Sequence, residues 1–201
     1  MIRVLLTGAG DIANALEEKL KDEYFFLNPT KGELDVADKS SVSAYFKKIG
    51  SIDVVVNLAG TLYSSSIIES DTESWIRDIN VNLVGTYLVN RESIMSNPNV
   101  KIINVSSTAA YNSYFDWSSY CASKAGVIKI SNALAIEGYD VTTLCPGAID
   151  TKIRNGLSIN NTNVMSIEES LVPVINALKG KYQSGDIILY RKNELKTIRE
   201  I

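Results

Sequence analysis

The 201 residues, 45% hydrophobic and 21% charged, are enough for one α/β domain with a substantial core. A net charge of −3 with no block of Lys or Arg argues against nucleic acid as a partner. The absence of histidine excludes Ser-His-Asp hydrolysis, Cys-His proteolysis and His-ligated zinc together, so proton transfer falls to Tyr, Lys, Asp, Glu or Ser and no metal site is expected.

A short β-branched run at 2–6 predicts a buried strand that breaks at Gly8 and Gly10, and apolar spacing over 12–20 predicts a helix. Strands are expected at 24–27 and, briefly, at 34–36, followed by a helix at 41–49 capped by Ser40 or Ser41. DVVVNL (53–58) reads as a strand buried on both faces, 74–96 as a long helix, and VKIINV (100–105) as another buried strand. A helix at 120–137, a strand at 141–144, a helix at 166–178 interrupted by Pro173, and a last strand at 186–190 complete the chain. Apolar strands alternating with helices predict a doubly wound parallel sheet, a Rossmann fold, in one domain with a shortened substrate region at about 152–201.

No apolar run approaches the roughly 20 residues that span a bilayer. The first residues read as a strand entering a glycine turn and not as a leader. Cys121 and Cys145 have no metal-like spacing and read as buried thiols in a reducing compartment. A cytoplasmic protein without a membrane partner is expected.

Gly8-Ala9-Gly10-Asp11-Ile12-Ala13 is a G-x-G-x-x-A between the first strand and helix, where a dinucleotide's pyrophosphate meets a helix N-terminus. The slot that selects between cofactors, at the end of the second strand, holds Asn28, with Lys31 nearby. An amide tolerates either cofactor and a lysine can neutralise a 2′-phosphate, so NADP(H) is preferred and NAD(H) left open; Asp11 in the loop works against that preference. Tyr120 and Lys124 lie one turn apart on a helix face, where an ammonium favours the phenolate and makes the tyrosine a usable acid or base.

TGAGDIA (7–13), LDV (34–36), NLAG (57–60), NVNLVGT (80–86), INVSS (103–107), YCASK (120–124) and CPGAIDT (145–151) occur in an order and spacing that resembles the short-chain dehydrogenase/reductase family. The resemblance implies Tyr120 as proton donor or acceptor and Lys124 as the residue that orients the nicotinamide ribose and lowers the tyrosine pKa. It also implies Ser107, thirteen positions before Tyr120, as the hydroxyl on the reacting oxygen, and Asn82 as the holder of a relay water. Ser106 does not match. For the cofactor it implies Thr7, Gly8, Gly10, Asp11 and Ile12 in the phosphate turn, Asp35 at adenine, and Asn57, Ala59 and Gly60 beside the adenosine. Pro146, Gly147, Ile149 and Thr151 would fix the carboxamide. Plainer readings stay open: Ser107 as a strand-end cap, Asn82 as a helix-interior amide, and Tyr111, Tyr114 and Trp117 as loop packing instead of a substrate pocket. The implied activity is NAD(P)-dependent interconversion of a small-molecule carbonyl and alcohol in a homodimer or homotetramer. A non-catalytic dinucleotide sensor or scaffold and a sugar-nucleotide epimerase or dehydratase are the alternatives.

Three features depart from the family pattern. The glycine turn is one residue shorter, with Ala13 for its last glycine. Asn28 runs almost directly into LDV. Only 50 residues follow Thr151, and the asparagine-rich stretch 152–165 stands where substrate-closing helices are usual.

Overall fold

Val54, Val55 and Val56 are all buried, because successive strand side chains point to opposite faces and both faces of this sheet are covered. Val54 and Val56 join a core with Val4, Leu6, Leu16, Leu144 and Val174, whereas Val55 packs with Leu5, Val42, Phe46, Val89 and Ile102 on the other side. The computed structural model describes residues 1–154 and 161–199. Its strands are β1 (Arg3–Thr7), β2 (Phe25–Leu27), β3 (Val54–Asn57), β4 (Lys101–Val105), β5 (Val141–Pro146), β6 (Ile187–Arg191) and β7 (Glu194–Ile198). They form one sheet in the order β2-β1-β3-β4-β5-β6-β7, in which only the β6–β7 pairing is antiparallel. The doubly wound fold is therefore as expected, with one correction: the sheet is mostly and not wholly parallel.

The helices are α1 (Asp11–Leu20), α2 (Lys39–Ile49), α3 (Thr72–Ile79), α4 (Gly85–Ser96), α5 (Ser118–Ile136) and α6 (Ile167–Leu178). Helix α2 is capped by Asp38, which accepts from the Ser40 amide at 2.8 Å, and not by Ser40 or Ser41. The expected long helix at 74–96 starts earlier, at an Asp71 cap, and is interrupted by a π-helical turn at Asn80–Val84. Helix α6 opens with a reciprocal capping box between Ser166 and Glu169, strong enough to precede an interior, buried Pro173.

Two expectations about strands fail. Residues 34–36 are an irregular segment leading into a turn, not a strand. Leu34 and Val36 are buried and two apart, which imitates strand alternation, but they plug the core from outside the sheet, and a Cβ on Gly85 would lie 2.8 Å from Val36 Cγ2. The sheet continues past its expected end at 190 into β7, reached through Asn193 with φ 63°. Its mostly exposed side chains, only Leu195 and Ile198 of them apolar, hid that edge strand.

Candidate functional site

The carboxyl ends of β1, β3, β4 and β5 open onto one groove, as the reversal of strand order between β1 and β3 requires. The groove has two arms, of about 660 Å³ over the glycine turn and about 380 Å³ over Ser107 and Tyr120. Ile12, Leu58, Gly60 and Thr151 line both, so the arms are continuous.

The glycine turn is built by close backbone approach. Gly8 has φ 76°, and a Cβ there would fall 2.6 Å from Ala59 Cα. Thr7, buried beneath it, accepts from the Leu58 and Ala59 amides at 3.1 Å each through Oγ1, tying β1 to the loop after β3. Gly10 caps α1 without any side-chain bond, which leaves the first amides of the helix facing the groove. Asp11 is held elsewhere: its carboxylate accepts from the Lys152 amide at 2.9 Å and lies 3.4 Å from Lys152 Nζ, an arrangement that lowers its pKa.

At the far end of this arm, Asp35 and Lys31 line the groove and face each other at 3.6 Å. Asn28 does not line it. Its amide donates to Asn14 Oδ1 and Glu17 Oε2, both at 2.9 Å, and is turned onto α1. Asn57 is likewise interior: it donates to Asn90 Oδ1 at 2.7 Å and Asn104 Oδ1 at 2.8 Å, bracing β3 against β4 and α4.

The other arm gathers Ser107, Tyr120 and Lys124, together with Pro146, Gly147, Ile149 and Thr151. Ser107 follows β4; its Oγ accepts from the Ala109 amide at 3.1 Å and donates to the Pro146 carbonyl at 3.5 Å, in the same arm as Tyr120. Tyr120 lies in the first turn of α5, with Trp117 edge-on at 6.1 Å. Burial pushes its phenol up to about 12, against a downward pull from Ser107, with Asp78 adding to the rise. Lys124 Nζ donates to the Val105 carbonyl at 3.0 Å and stands 5.7 Å from the Tyr120 ring centroid. Burial brings its pKa down to about 8. Desolvation is the largest influence on the phenol.

Asn82 sits in the π-helical turn, fully buried. It accepts from the Thr61 amide at 2.8 Å and donates to the Thr61 carbonyl at 2.9 Å and Ser123 Oγ at 3.1 Å. The π-turn lets a helical amide grip the backbone next to Gly60, where a Cβ would crowd Asn82 Oδ1 at 3.3 Å. Ser106 points away and donates to the Lys124 carbonyl at 2.7 Å. Tyr114 and Trp117 line the arm with rings 4.8 Å apart, while Tyr111 does not line it. Of the stretch 152–165, residues 155–160 lie outside the described residues.

Three contributors escaped the sequence. Asp78, buried on α3, accepts from Thr61 Oγ1 at 2.6 Å, the Tyr63 amide at 2.7 Å and Ser119 Oγ at 2.9 Å, knitting the roof of the groove to the residue beside Tyr120. Nothing local marks it, since acids on amphipathic helices are usually solvated. Arg154 and Arg191 line the catalytic arm. Arg191 had a signal, because it directly follows an apolar run at the strand end where α/β sheets bind ligands.

The short chain dehydrogenase family model matches residues 3–162. An uncharacterized oxidoreductase of Thermotoga maritima is 36% identical over 146 residues, which cover 67% of this chain and 56% of the relative, so the chain spans little more than half of that protein. An uncharacterized oxidoreductase of Staphylococcus saprophyticus is 33% identical over 164 residues, 76% of this chain and 70% of the relative. Among solved structures, a small-chain dehydrogenase in complex with NADPH superposes with a TM-score of 0.85 at 17% identity, covering 94% of this chain and 96% of the other, a likeness of fold.

Proposed function

The chain belongs to the short-chain dehydrogenase family of oxidoreductases, and from that premise we propose that it interconverts a carbonyl and a secondary alcohol with a nicotinamide dinucleotide. The observation that carries this reading is the convergence of Ser107 and Tyr120 on one arm beside buried Lys124, at the end of a groove that begins over a helix N-terminus with no side-chain cap.

The residues fit the cofactor. The backbone contact at Gly8 and the free amides of α1 suit a pyrophosphate, Asp35 and Val36 border the adenosine end, and Pro146 to Ile149 border the nicotinamide end. Lys31, exposed and 3.6 Å from Asp35, is a cation that could turn to a 2′-phosphate, which supports NADP(H); Asn28, turned onto α1, adds nothing to that preference. The bound nicotinamide would supply or accept the hydride.

Everything else falls to the chain. A substrate oxygen placed between the Ser107 and Tyr120 hydroxyls receives two hydrogen bonds where negative charge develops during reduction. With its pKa near 12, Tyr120 is protonated at neutral pH and serves as the acid that delivers a proton to that oxygen. Lys124, with a pKa near 8, is mostly an ammonium at neutral pH and steadies the charge left on the phenol. Asn82 and Asp78 hold the roof over these groups.

The test is titration with NADPH and NADH, followed by a carbonyl screen, on the wild type and Tyr120→Phe. Both proteins should bind NADPH saturably, and the variant should lose about 10²- to 10⁴-fold in kcat. Undiminished turnover in Tyr120→Phe, or no binding of either dinucleotide, would overturn the reading.

A further inference from the structure

The charged side chains lining the catalytic arm among the described residues are Lys124, Arg154 and Arg191, all cationic, in a chain of net charge −3. Lys124 is accounted for by the Val105 carbonyl and Tyr120. The two arginines are not. Neither guanidinium has a hydrogen-bond or ion-pair partner among the described residues. Arg191 faces Glu194 in the β6–β7 register and adds to the lowering of its pKa, but the ion pair of that carboxylate is with Lys196, 2.8 Å away. Its stem lies against Gly147, where a Cβ would fall 2.8 Å from Arg191 Cγ, so the glycine makes room for the arginine at the pocket wall. On the short turn Lys152–Arg154 the cations divide, Lys152 toward Asp11 at the glycine turn and Arg154 into the catalytic arm. The remaining wall includes Leu62, Tyr114, Trp117 and Ile153.

We propose that this pocket selects carbonyl compounds carrying a carboxylate, oxo acids, with Arg191 and Arg154 holding the anion while Ser107 and Tyr120 hold the carbonyl oxygen. A planar guanidinium fork matches a carboxylate in two hydrogen bonds, and the apolar side chains that line the same arm accept the carbon chain. The proposal rests on the carbonyl-reductase reading and names its substrate class. Arg191 sets specificity and takes no part in the proton transfer.

The experiment compares six-carbon 2-, 3-, 4- and 5-oxo acids with their methyl esters at saturating NADPH. The preferred acid should exceed its ester in kcat/KM by about tenfold or more, and Arg191→Gln or Arg154→Gln should reduce that ratio to about threefold or less. An ester used as well as its acid overturns the proposal while leaving the reductase reading intact. A variant that loses NADPH affinity but keeps the acid-to-ester ratio also overturns it, since the arginines would then serve a cofactor phosphate. Binding of hexanoate and hexanamide, followed by tryptophan fluorescence with Trp117 in the pocket, covers the case of no turnover. Hexanoate binding lost in Arg191→Gln would sustain the anion site independently of the reductase reading. No binding, or equal binding of acid and amide, would sink the anion site.

Discussion

The two arms of the groove are made from different materials. The arm over the glycine turn is shaped by backbone: Gly8 against Ala59, the open amides of α1, and the Leu58 and Ala59 amides pinned by Thr7. Its charges are mixed, and Asp11 pairs with Lys152 and Lys31 with Asp35, beside Arg77. The catalytic arm is made by side chains, buried hydroxyls and an amine with shifted pKa values, and its charges have one sign. A ligand that brings its own phosphates needs shape and N–H groups, whereas a reacting carbonyl needs protons and charge placed before it arrives.

The largest effect that tests this contrast is expected from Gly8→Val. A β-branched side chain would be forced to a positive φ and driven into Ala59, at a cost of about 3 kcal/mol or more in unfolding stability, with NADPH binding lost. Urea melts and an NADPH titration report both; an unchanged stability would mean that backbone contact does not shape that arm.

Lys124 offers a middle-sized test in the other arm. Burial lowers its pKa from 10.5 to about 8, so between those values the unfolded chain holds a proton that the folded chain has released. Stability therefore rises with pH through this window, by about 2 kcal/mol between pH 7.5 and 9.5. The rise should be present in the wild type and absent from Lys124→Met when urea midpoints are compared at the two pH values. The same slope in both proteins would place the buried charge elsewhere.

The smallest effect belongs to Asp11→Asn. Removing a carboxylate from the first turn of α1 should cost about 0.5 kcal/mol in stability and release Lys152, while NADPH binds about two- to fivefold more tightly for want of like-charge repulsion. Calorimetric titration reads the change. Weaker binding would instead make Asp11 a clamp that the cofactor needs, and the first arm would then depend on side chains too.

Much of the fold was legible because its signals are local. Continuous valines at 54–56 mark a doubly covered strand, and a glycine turn between strand and helix marks the first crossover. The segment at 34–36 misled because burial two residues apart is shared by strands and by plugs of the core. Strand β7 escaped because an edge strand with an exposed face carries little apolar signal. For the site, helical spacing sufficed to put Tyr120 near Lys124, and the structure brings Ser107 to them from the end of another strand.

Sequence by itself determined the element types, the glycine turn and the four-residue step from Tyr120 to Lys124, since periodicity, backbone freedom and helical rise act over a few residues. Tertiary structure decided what depends on distant neighbours. It turned Asn28 onto α1 and Asn57 into the sheet-bracing amides, buried Asp78 as a strut, and brought Arg154 and Arg191 to one pocket from segments far apart in the sequence. It also set the desolvation that raises the Tyr120 phenol, because desolvation depends on everything packed around a group and not on its neighbours in sequence.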